Sequence, residues 1–155
     1  MTSMLHARRV IAVATFTTAS LACASEPALG PLDIDTPALM AAEANALRNP
    51  IPYTRKSIER GRELFVYHGC GACHGIEGKA ASTPGLDHGT DLARPGAWKH
   101  GTREGQVFRS IRDGAGVGMP PMKAVIPQEE DVWHLVNFVR SLWPEGQRPV
   151  VKQED

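Results

Sequence analysis

Cys70-Gly71-Ala72-Cys73-His74 is the stretch on which the reading of this chain turns. Two thiols three residues apart on one turn can add to the two vinyl groups of a single haem. The next residue then lies beneath the ring, where an imidazole reaches the iron. Gly71 and Ala72 are small enough to let the backbone pass close to the ring edge. Other chemistries compete for these residues. A thioredoxin-like redox pair needs a βαβ setting, which the flanking sequence lacks. A zinc site needs four ligands, and no second C-x-x-C or H-x-x-x-H completes the set. A structural disulfide between Cys70 and Cys73 leaves His74 without a role. Covalent attachment of one haem c accounts for the whole motif, with His74 as an iron ligand.

Outward from the motif, the punctuation is helical. Ile58, Gly61, Leu64, Phe65 and His68 mark one face of a helix that Gly69 ends. Residues 75–101 carry Gly75, Gly78, Pro84, Gly85, Gly89, Pro95, Gly96 and Gly101, a density of breakers that leaves room for a loop and none for a sheet. Thr102 can cap a second helix with Val107, Phe108 and Ile111 turned inward and Gly114 as its stop. After another loop over residues 114–127, the last helix runs from about Gln128 to Trp143 on the stripe Val132, Leu135, Val136, Val139 and Leu142. Glu129, Glu130 and Asp131 sit at its positive end, Arg140 near its negative end, and Pro144 terminates it. The expected fold class is all-α, three main helices and long loops around something buried. Aromatic residues are only 6% of the 155, so a buried cofactor would supply bulk that the side chains do not.

The N-terminus reads as a targeting segment. His6, Arg8 and Arg9 precede the thirteen-residue, mostly apolar run Val10 to Ala22, which is too short to span a bilayer and suits a signal peptide. Ala22-Cys23-Ala24 offers a small-x-small cleavage site that leaves Ser25 first, while Ser20-Leu21-Ala22-Cys23 is a degraded lipoprotein box through which Cys23 would be lipidated. The export route predicts a periplasmic destination, with membrane attachment only through Cys23. Cleavage removes Arg8 and Arg9 and no acid, leaving 15 basic against 17 acidic residues, a formal net charge of −2. No basic stripe exists, so nucleic acid is excluded as a partner. The plan is therefore a signal peptide over 1–24, a Pro/Ala-rich arm or linker over 25–53, a packed domain over 54–144 and a polar tail over 145–155. Within the arm, Thr36-Pro37 can start a short helix running through Leu47.

From Asn49 to Trp143 the chain resembles the bacterial class I cytochrome c family. The resemblance rests on Ser57-Ile58-Glu59-Arg60-Gly61-Arg62-Glu63-Leu64-Phe65 before the motif, on Ile111-Arg112-Asp113-Gly114, on Gly118-Met119-Pro120 and on Leu135-Val136-Asn137-Phe138-Val139-Arg140-Ser141-Leu142. It implies the cytochrome c-like fold, a crossing of the Gly61/Phe65 face with the last helix near Phe138, and Met119 as second axial ligand. It also implies that Pro84 lies in the segment whose proline carbonyl accepts from the proximal histidine. Thioether is a soft iron ligand, and Met/His ligation raises the reduction potential, as an electron carrier requires. Met122, where the family more often has an aromatic or another apolar residue, is the competing methionine, although methionine is ordinarily a core filler. His68, His88, His100 and His134 remain alternatives to it, as does an open site. Arg94, Trp98 and Lys99 are candidates to meet a haem propionate, and the sequence does not choose among them.

What the resemblance implies for function is an exported electron carrier, or the cytochrome subunit of an oxidoreductase, whose partner is a dehydrogenase, oxidase or reductase. With both axial positions filled, substrate has no route to the iron, so the chain is not expected to be an enzyme. Two other classes stand beside this. If Met119 leaves the iron, peroxide or a small gas could bind there, although no distal acid–base pair is recognisable. Alternatively the haem is a structural cross-link and residues 25–54 dock a larger partner.

Overall fold

In the computed structural model, which describes residues 36–80 and 89–153, the chain folds into α1 (Thr36–Ala46), α2 (Arg55–Tyr67), α3 (Gly71–His74), α4 (Glu104–Arg112) and α5 (Glu129–Ser141), with a 3-10 turn at Pro95–Ala97. Among the described residues there is no strand, and the fold is all-α as expected. The signal segment, Cys23 and Pro84 lie outside the described residues.

Helices α2 and α5 form the centre of the domain. α2 begins where the Thr54 hydroxyl accepts from the Ser57 N–H (3.2 Å). It ends at His68, after which Gly69 takes a left-handed turn (φ 69°). The two helices cross at Gly61, where a Cβ would run into the carbonyl of His134 and stand 2.7 Å from Phe138 Cβ. One turn on, Phe65 and Phe138 meet with ring centroids 5.2 Å apart. The expected crossing of the Gly61/Phe65 face with Phe138 is therefore present. α4 closes the third side of a core of Leu64, Val107, Leu135, Val136 and Val139, and Phe108 stacks on Trp133 at 4.1 Å.

One buried polar residue ties the layers. Asn137, 1% exposed, donates from Nδ2 to Ser57 Oγ (2.8 Å) and to the carbonyls of Ile51 (3.3 Å) and Pro52 (3.2 Å). Its Oδ1 accepts from Asn49 Nδ2 at 2.8 Å. Every polar atom of the amide is thus partnered, which makes its burial tolerable.

Of the arm expected over residues 25–53, the described part packs on the surface of α4. α1 lies on α4 with Ala44 buried, Glu43 pairs with Arg109 (3.0 Å), and Asn45 Oδ1 accepts from Gln106 Nε2 (2.8 Å). Leu47 and Ile51 pack against the core behind it.

Candidate haem site

The left-handed Gly69 swings the chain from α2 directly into the single turn α3. Cys70 N–H donates to the Phe65 carbonyl (3.1 Å), and His74 N–H donates to the Cys70 carbonyl (3.0 Å). Both thiols and the imidazole are thereby carried by one turn seated on the end of α2. Cys70 is half-buried against the core and Cys73 is exposed; both are free thiols, so no disulfide joins them. Burial pushes the Cys70 thiol up, its backbone hydrogen bond pulls it partly back, and the neighbouring Cys73 raises it further. A protonated thiol oxidises slowly and stays available for attachment.

His74 is oriented from behind. Its Nδ1 lies 2.9 Å from the Thr90 carbonyl oxygen. Because that atom can only accept, Nδ1 carries the proton, and the Nε2 lone pair is the one left for a metal. Gly89 makes this approach possible. Its N–H donates to the Cys73 carbonyl (2.8 Å), and a Cβ there would stand 2.6 Å from His74 Nδ1 and 3.0 Å from the Cys73 oxygen. Thr90 supplies a carbonyl partner to His74, while Pro84, the residue expected near that partner, lies outside the described residues. A backbone acceptor carries no side-chain signature, so only the neighbouring glycine could have pointed to it.

The two methionines separate by their surroundings. Met122 packs against the core, its N–H donating to the Ile111 carbonyl (3.2 Å) and its own carbonyl accepting from Ile126 (2.8 Å). Met119 is half-buried and outside that core, at the tip of a loop closed by an Ala115 N–H to Met119 carbonyl bond (3.0 Å). Of the histidines, His134 Nδ1 is bonded to Ser57 Oγ (2.8 Å), His68 stands edge-on to Tyr67, His100 is exposed, and His88 lies outside the described residues. Among the described residues no group of three His, Cys, Asp or Glu side chains is placed to hold a metal by itself.

These residues fit a covalently held haem: two reduced thiols and an oriented imidazole on one turn, a glycine cradle behind the ring, and a methionine free of the core. Trp98 adds a further sign, for its Nε1 is sealed from solvent and has no acceptor. Among the described residues no helix is long and apolar enough to cross a membrane.

No solved structure matches this chain. Over 82 residues, 53% of this chain and 25% of the relative, it is 33% identical to the cbb3-type cytochrome c oxidase subunit CcoP of Rubrivivax gelatinosus. The matched stretch is thus a quarter of that subunit's length. The profile of the cytochrome c family matches residues 58–143, more than half of the chain, from the first turn of α2 to just past the end of α5. Fold, motif and profile agree, and this chain belongs to the cytochrome c family.

Proposed function

We propose that this protein is a periplasmic electron carrier, or the cytochrome subunit of an oxidoreductase, bearing one haem c linked at Cys70 and Cys73 and ligated by His74 and Met119. The observation that carries the reading is the His74 Nδ1 bond to the Thr90 carbonyl, which presents Nε2 from the same turn as both thiols. Bound haem supplies an iron that alternates between ferric and ferrous states. The protein does the rest. Cys70 and Cys73 would hold the ring through two thioethers, and the Thr90 carbonyl fixes the imidazole and raises its basicity. Met119 offers a soft ligand from the opposite loop and raises the potential. His74 and Met119 together would hold the iron and leave small molecules no place on it.

The named relative is an oxidase subunit, which favours an oxidase as partner over a dehydrogenase or reductase. Export is assigned to the signal segment 1–24, with release after Ala24 and lipidation of Cys23 as the anchored alternative.

Intact-mass analysis of the mature protein tests the core of this reading. One haem mass should survive denaturation on a chain beginning at Ser25, and the ferric protein should show the weak sulfur-to-iron absorption band. Haem that is extracted by acid-acetone, leaving free thiols, would refute covalent attachment.

A further inference from the structure

We infer that a chain of alternating charges, Glu43, Arg109, Asp113, Arg112 and Glu129, clasps the base of the Met119 loop, so that Arg112 and Glu129 are positioning residues for the sixth iron ligand. The inference rests on the ligation by Met119 proposed above.

The loop leaves α4 after Arg112 and enters α5 at Glu129. Its tip has little to hold it in place, for Gly116, Val117 and Gly118 are exposed. Closure therefore falls to the stem. Two backbone bonds tie the returning limb to α4, from Met122 N–H to the Ile111 carbonyl (3.2 Å) and from Lys123 N–H to the Arg112 carbonyl (3.1 Å). Beyond Lys123 the two helix ends are joined by side chains: Arg112 Nε lies 3.0 Å from Glu129 Oε1. The last residue of α4 thus grips the loop by its backbone and the first residue of α5 by its guanidinium.

Arg112 is itself held. Its guanidinium carbon stands 6.0 Å from the centre of the Phe108 ring, and Phe108 stacks on Trp133, one turn on from Glu129. Arg112 Nη1 lies 3.2 Å from Asp113 Oδ1. Asp113 Oδ2 in turn meets Arg109 Nη1 (3.3 Å), and Arg109 Nη2 meets Glu43 on α1 (3.0 Å). Acids and arginines therefore alternate across three helices, with Arg109, Asp113 and Arg112 half-buried in the middle. A lone exposed pair contributes little, whereas members of a network fix one another's geometry. The same two helices are joined at their opposite ends by Arg140 and Glu104 (3.3 Å). Cutting the link at Glu129 would therefore slacken the loop while α4 and α5 stay docked.

A molecule that competes with Met119 for the iron binds only while the loop is open. Its apparent affinity is lowered in proportion to the open fraction, and the clasp keeps that fraction small.

The test titrates the haem-loaded ferric protein with imidazole and follows loss of the sulfur-to-iron band. Glu129→Gln removes the last link of the chain, and imidazole should then bind about two- to fivefold more tightly, the range that a partly exposed ion pair can supply. Glu130→Gln takes a charge from the same turn of α5 but none from the chain, and should bind imidazole as the wild type does. Wild-type affinity in a folded, haem-bearing Glu129→Gln protein overturns the inference. So does an equal gain in both variants, which would assign the effect to charge at the helix end. Wild-type protein with denaturation-resistant haem but no sulfur-to-iron band overturns the Met119 reading, and this inference with it.

Discussion

Replacing Gly61 by alanine sets two effects of opposite sign against each other. In a helix interior, alanine is favoured over glycine by about 1 kcal/mol. At the α2–α5 crossing, however, the added methyl would sit 2.7 Å from both the His134 carbonyl carbon and Phe138 Cβ, where ordinary contact begins at 3.4 Å. The helices must then part by at least roughly 0.7 Å, a gap that forfeits a quarter to a half of each dispersion contact across the seam. The obstructing atoms are backbone and a Cβ, which cannot swing aside, so the penalty belongs at the upper end of the roughly 1–3 kcal/mol seen for overpacked cores. Packing wins, and the net loss is about 1–2 kcal/mol. For a domain of this size that lowers the melting temperature by about 5–15 °C. Thermal unfolding of the haem-loaded protein, followed by far-UV circular dichroism, measures it. A variant that melts at or above the wild type would refute the claim that these helices touch at backbone distance.

Gly89→Ala should drive the His74 ring off the Thr90 carbonyl, since the new Cβ would lie 2.6 Å from Nδ1. Loss of that bond makes the imidazole a poorer donor to ferric iron, so the midpoint potential should rise; an unchanged potential would show the bond to be unimportant. Asn137→Leu keeps the branched outline, though with a bulkier side chain, but strips acceptors and donors from Asn49, Ile51, Pro52 and Ser57. Its denaturation midpoint should fall by the equivalent of about 2–4 kcal/mol with the slope unchanged. Met119→Ala should abolish the sulfur-to-iron band and lower the potential, while Met122→Ala should keep the band and lose about 1–2 kcal/mol of stability. The reverse pattern would show that the ligand assignment is inverted.

Much of the fold was legible because its helices are bounded by residues with unambiguous local chemistry. Gly69 ends α2, and the acidic first turn and apolar stripe define α5. Thr102 is the better capping residue by type, but the helix opens one residue later at Arg103, whose N–H is taken by Gln106 Oε1 (3.0 Å). Trp133 lies off the predicted stripe and is buried because α4 brings Phe108 over it, a tertiary fact that periodicity along α5 does not contain. Asn137 looks like a polar interruption until its partners, some eighty residues earlier, fold beneath it. The docking of α1 was hidden for the same reason: an Ala-rich helix does not announce what it packs against. At the site, the thiols and His74 are specified by spacing alone. The Thr90 carbonyl is a backbone atom with no residue identity to read.

The loop that presents Met119 is clamped at both ends. Ala115 N–H holds the Met119 carbonyl, and the exit is pinned to the end of α4 by bonds from Met122 N–H to Ile111 (3.2 Å) and from Lys123 N–H to Arg112 (3.1 Å). Gaining or losing an electron changes the charge at the iron by one unit, and each ligand bond would relax if its support were soft. A tip tied to helix backbone within a few residues on either side has little slack for that relaxation. Were Met119 to hold the iron as proposed, the inner-sphere reorganisation energy it contributes would be small. The speed of exchange would then be set by the gap to the partner and the difference in potential, and hardly at all by rearrangement of the carrier.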